Sequence, residues 1–173
     1  MKSKTRVLII VSHILSWLAF VGLAIKAGSF LISYSVSLGN SIASKNLYNG
    51  TDLSAYRQQN FWNYTIIVWY KILLYAIQAY VAFLLTRLLR SLNISRPFHP
   101  DVPGLLQRIS FFILLIWATA MAHNIHEAIL NELYGITPGY IPGDFLFLAG
   151  IVYVFAQIFK RGVEIQSENE LTV

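Results

Sequence analysis

The sequence predicts an all-α integral membrane protein, a four-helix bundle with both termini in the cytoplasm. Three observations predict it: four apolar runs of bilayer length, a shortage of charge, and basic residues gathered on alternate loops. Of 173 residues, 56 % are hydrophobic and 12 % charged, where a soluble domain carries about 25 % charged residues. So few charges cannot cover a water-facing surface. The apolar residues also fall in long blocks, which an amphipathic pattern would break up. The length predicts one membrane domain over residues 1–173.

The first span is expected over residues 7–27. Lys2, Lys4 and Arg6 precede an uncharged run from Val7 to Ile25, longer than the apolar core of about 7–15 residues in a signal peptide. Apolar character continues past Lys26 to Tyr34, so an outward extension is expected. Residues 39–60 turn polar and are expected to form a long, solvent-exposed outer loop. The second span is expected over 64–89, with Lys71 snorkelling to the outer surface and Arg87 and Arg90 closing the inner end. Three prolines and a glycine between Asn93 and Gly104 stop the helix and form a short inner loop. Asp101 is expected to cap the next helix, with Pro103 in its first turn. The third span is expected over 105–130, followed by a turn-rich loop around Pro138 and Pro142. The fourth, over 144–160, is short for the bilayer, and 162–173 is expected to be a solvated cytoplasmic tail.

The net charge of +5 does not point to direct nucleic-acid binding, because the charges lie between apolar blocks and not on one amphipathic face. They read as topology signals. Lys2, Lys4, Arg6, Arg87, Arg90, Arg96, Arg108, Lys160 and Arg161 fall on one side. Lys26, Lys45, Arg57 and Lys71 fall on the other. The richer side is expected to face the cytoplasm. The absence of cysteine removes disulfides and thiolate chemistry.

His123, His126 and Glu127 are the densest set of possible ligands. Spacings of three and four place them on one helix face, and imidazole with carboxylate suits zinc or another divalent ion. His13 is a candidate fourth member. The same residues also fit a polar helix end hydrogen-bonded to water and loops, and zinc usually requires more protein ligands than one helix face offers. His13, Gln78 and Gln157 lie within apolar spans and are expected to face other helices. Aspartate and glutamate are absent from the centres of the spans, which argues against a proton-driven pump. No nucleotide-binding glycine loop, nucleophile elbow or metalloprotease motif is present. No enzymatic activity, catalytic residue or bound cofactor is therefore expected.

The inner surface offers candidate partner-binding residues: Arg96 and Phe98 in the loop, and Glu164, Gln166, Glu168 and Asn169 in the tail. The stretch from Phe159 to Gln166, the ending from Glu168 to Val173, and the loop Arg96-Pro97-Phe98 resemble the bacterial 2975 family of domains of unknown function. The four-span layout is similar over nearly the whole chain. The resemblance implies a bacterial inner-membrane protein. Members are often encoded beside a small helix-turn-helix regulator of the Cro/C1 type, which implies a membrane protein that binds or sequesters such a regulator. The alternative from the residues themselves is a small-molecule or metal-binding protein, or a transporter accessory, built on the His/Glu cluster.

Overall fold

A computed structural model describes residues 2–92 and 99–170, with backbone alone for residues 2, 3, 169 and 170. The described residues form α1 (Lys2–Gly39), a 3₁₀ helix (Ser41–Lys45), α2 (Ser54–Gln59), α3 (Phe61–Ser91), α4 (Asp101–Tyr134) and α5 (Phe145–Glu170). Four of these are long and apolar enough to cross a membrane, as the four apolar runs predict.

The long helices alternate in direction. Phe20 packs on Phe83 and Phe30 on Tyr75, which sets α1 antiparallel to α3. Tyr70 meets His123 and Tyr80 meets Phe112, which sets α3 antiparallel to α4. Ser110 Oγ donates to the Ala149 carbonyl at 2.9 Å, where two small residues let α4 and α5 approach. Lys2, Ser91, Pro100 and Glu170 therefore share one end of the molecule, the terminal end. The 3₁₀ helix, α2 and residues 135–144 share the other, the loop end.

The helices pack in the order α1, α3, α4, α5, and α1 and α5 share no comparable interface. The bundle is thus an open row. Burial follows: 44 % and 39 % of the apolar windows of α3 and α4 are buried, against 6 % and 11 % for α1 and α5. The flanking helices turn Leu8, Leu18, Phe147 and Val154 outward, which costs nothing where hydrocarbon is the solvent.

Four boundaries differ from the sequence-based expectation, each for a local reason. The helix predicted over 7–27, for which an outward extension is expected, runs on to Gly39, because nothing between Lys26 and Gly39 breaks it. At about 1.5 Å per residue it is about 57 Å long and overshoots a core of about 30 Å. Its last turns pack on the loop end. The expected exposed loop 39–60 is a folded cap instead. Leu47, Leu53 and Tyr56 are 4–5 % exposed and join Phe30, Tyr64, Ile67, Val68 and Leu130 in one core. Asn49 and Gly50, both at positive φ, turn the chain between Tyr48 and Thr51. Asn60 accepts the Trp62 N–H at 2.7 Å and so starts α3 at Phe61 rather than residue 64.

The third difference is at α4. Pro100 occupies the N-cap, Asp101 is the first helical residue and Pro103 is buried in the first turn. The helix ends where Gly135 adopts φ 67°, a left-handed conformation that glycine enters without strain, and its N–H donates to the Asn131 carbonyl at 2.8 Å. The fourth corrects the predicted tail. The described residues after Gly162 continue α5 to Glu170. Arg161 bridges Glu164 at 3.0 Å and Ser167 bonds back to the Glu164 carbonyl at 2.9 Å, both along the helix.

Candidate functional site

The core at the loop end is built around a buried carboxylate. The α4 register carries Glu127 one turn beyond His123, and the two are 2 % and 0 % exposed. A carboxylate so buried is unfavourable unless its lone pairs are filled. The Tyr56 hydroxyl donates to Glu127 Oε2 at 2.6 Å and the Gly139 N–H donates to the same oxygen at 3.1 Å. Oε1 faces His123 Nε2 at 3.4 Å without hydrogen-bond alignment, so that nitrogen has no hydrogen-bond partner among the described residues. Lys71, half-buried on α3, lies within electrostatic reach of Glu127 and His123. The sequence-based expectation is that Lys71 snorkels to the outer surface; in the structure it is half-buried.

Neighbouring residues complete the arrangement. Asn124 holds residue 141 in both directions: Nδ2 donates to the Ile141 carbonyl and Oδ1 accepts the Ile141 N–H, each at 2.8 Å. The Tyr70 ring meets His123 and His126 edge-on at 5.7 and 6.1 Å. Burial first, then the Glu127 hydrogen bond and charge, push the Tyr56 phenol above the ordinary tyrosine range. Asp52 Oδ1 accepts the Ser54 N–H at 2.8 Å, and this bond holds its carboxyl below the usual range. Glu127 and Asn124 thus fasten both loops of this end to α4.

Of the predicted metal set, the structure brings His123 and Glu127 together. His126 packs on Tyr70, and among the described residues no three His, Cys, Asp or Glu side chains are grouped to hold an ion. His13 does not join them. It accepts from Trp17 Nε1 at 3.3 Å within α1, and the antiparallel pairing of Phe20 with Phe83 puts it at the terminal end. Gln78 and Gln157 are half-buried. Tyr56 and Gly139 were missed by sequence reasoning. A lone tyrosine in a polar stretch and a loop glycine carry no pattern that links them to a carboxylate on another helix.

The terminal end has a different character. Arg87, Arg90 and Ser91 of α3 and His99, Asp101 and Arg108 around the start of α4 line a groove of about 700 Å³. His99 Nδ1 lies 3.6 Å from Asp101. Beyond Lys160, α5 carries Glu164, Gln166 and Glu168 as helical residues, with Asn169 in the same helix. Arg96 and Phe98 lie outside the described residues.

Four apolar helices of bilayer length, one carrying a carboxylate hydrogen-bonded within the fold, define an all-helical, multi-pass membrane protein. The chain belongs to the bacterial family described as "Protein of unknown function (DUF2975)", which matches residues 48–173, and its location is the inner membrane. The match begins within the cap, so α1 lies outside it. No curated protein and no solved structure matches the chain.

Proposed function

We propose that this protein is a non-enzymatic regulator whose terminal end faces the cytoplasm and holds a small helix-turn-helix transcription factor away from DNA. The observation that carries this reading is the continuation of α5 beyond its apolar span. Past Lys160, it offers a polar helix instead of a loose tail, with Glu164 and Glu168 four residues apart on one face. The glutamates of this helix, Glu164 among them bridged to Arg161, complement the basic surface with which a helix-turn-helix protein meets phosphate. A preformed helix also avoids most of the ordering entropy that a disordered tail would lose on binding. The resemblance to a family often encoded beside such regulators supports the same partner class. The basic residues gathered at the terminal end support a cytoplasmic orientation.

In this reading the latched loop end is the sensing part. A ligand there would release the regulator only by binding two states of the fold with different affinity. The test is purification of the tagged protein in mild detergent, with and without residues 162–173. A helix-turn-helix protein should co-purify with the full chain and be lost from the truncated one. Recovery of no such protein with the full chain would end the proposal. Reporter fusions at the two termini check the orientation independently, and a periplasmic signal from either contradicts it.

A further inference from the structure

We infer that the groove between the end of α3 and the start of α4 binds a phosphate group, held by Arg87, Arg90 and Arg108. The inference does not depend on the proposed transcription-factor partner. Its first support is charge. The six polar groove residues named above include three arginines and one carboxylate, a net charge of +2 with His99 neutral. The carboxylate, Asp101, stands beside His99 at 3.6 Å. Among the described residues, no ion pair or hydrogen bond is formed by the three guanidinium groups. Helix dipoles do not account for the field, because the negative end of α3 and the positive end of α4 face the same space and oppose each other. The side chains therefore set its sign.

The second support is depth. The uncharged stretch of α3 from Ile72 to Thr86 ends at Arg87, and the uncharged stretch of α4 begins at Ile109, directly after Arg108. Two helices thus place arginine at the same apolar boundary, and both line one groove. Phospholipid phosphates lie at that level of a bilayer. Guanidinium groups give paired, charge-assisted hydrogen bonds to phosphate oxygens, which suits this chemistry better than three lysines would. The groove volume of about 700 Å³ lies within the range of about 300–1,000 Å³ for small-molecule sites. The phosphate could be carried by an anionic lipid headgroup or by a free anion. The chemistry of the site is the same for both.

Delipidated protein in detergent can be titrated with short-chain phosphatidylglycerol, with short-chain phosphatidylcholine as an acyl-chain control, and with inorganic phosphate, following the thermal midpoint. Phosphatidylglycerol should stabilise the protein, and the Arg87→Gln/Arg90→Gln/Arg108→Gln variant should need about tenfold more lipid for the same shift. Arg161→Gln, at the same end but outside the groove and paired with Glu164, should behave as the unaltered chain. Should the triple variant not fold, Arg90→Gln alone, at an exposed position, should weaken the response in the same direction. A lipid response without a phosphate response identifies the bilayer as the source. Stabilisation by inorganic phosphate that competes with lipid identifies a soluble phosphate. Equal responses to the two lipids, or an unchanged response in the arginine variants, would overturn the site.

Discussion

The Tyr56 hydroxyl and the Glu127 carboxylate meet at 2.6 Å although 71 residues separate them in the chain. This bond ties the short helix α2 of the cap to the last third of α4. Both partners are nearly inaccessible, at 5 % and 2 % exposure. A hydroxyl that donates to a carboxylate oxygen makes a hydrogen bond of the stronger kind.

Tyr56→Phe removes this donor and leaves Glu127 Oε2 with Gly139 alone. The expected loss is about 1.5–3 kcal/mol of stability, read as a lower thermal midpoint in detergent. Glu127→Gln should produce a smaller loss in a Tyr56→Phe background than in the unaltered chain, because the two changes remove one interaction. Fully additive effects would show that the bond contributes little.

The same pair predicts a pH dependence. The Tyr56 phenol is raised above its ordinary value of 10.0 in the folded state. The fold therefore favours the protonated form, and the stability this gives is present below pH 10. It is lost as pH rises above 10, where the unfolded chain releases the proton first. The midpoint of the unaltered chain should fall more steeply above pH 10 than that of Tyr56→Phe. Parallel curves would remove Tyr56 from the account.

Asn124→Ala should loosen the loop between α4 and α5 while leaving the helices assembled. The change unpairs the N–H and the carbonyl of Ile141, each bonded at 2.8 Å. Amide hydrogen exchange over residues 139–141 should accelerate by about tenfold or more, since 1.4 kcal/mol is a factor of ten. Exchange along α3 should not change.

Ala149→Leu tests the close approach of α5. Ala149 is 4 % exposed and its carbonyl receives the Ser110 hydroxyl. A larger side chain should cost about 1–3 kcal/mol by overpacking. It should also weaken cross-linking between cysteines placed on α4 and α5. The chain contains no native cysteine, so such labels report without background. Cysteines replacing Phe30 and Tyr75, whose rings stack at 5.6 Å, should still link α1 to α3 in the same variant.

The His/Glu cluster yields a final prediction. One Glu127 oxygen already accepts two hydrogen bonds, and His126 packs on Tyr70. Zinc content should therefore be equally low in the purified protein and in a His123→Ala/His126→Ala variant. Stoichiometric zinc in the former alone would restore the metal reading.

The membrane class and the four spans were legible in the sequence because the transfer of an apolar run into hydrocarbon is a local, nearly additive quantity. Summing residues 7–25 or 109–122 suffices, without knowing what they touch. The faces were legible too: the spacing of His123, His126 and Glu127 put them on one side of a helix. What covers a face is not a property of its spacing. That Tyr56 and Gly139 close over Glu127 and that residues 39–60 form a cap depends on contacts between distant segments. Those contacts exist only once α1, α3 and α4 have packed and made burial of Leu47 and Leu53 favourable. The apolar runs by themselves determined the solvent in which this protein folds. The tertiary structure decided which of its polar groups share a buried site, because a buried charge is stabilised by partners that only the assembled helices bring within reach.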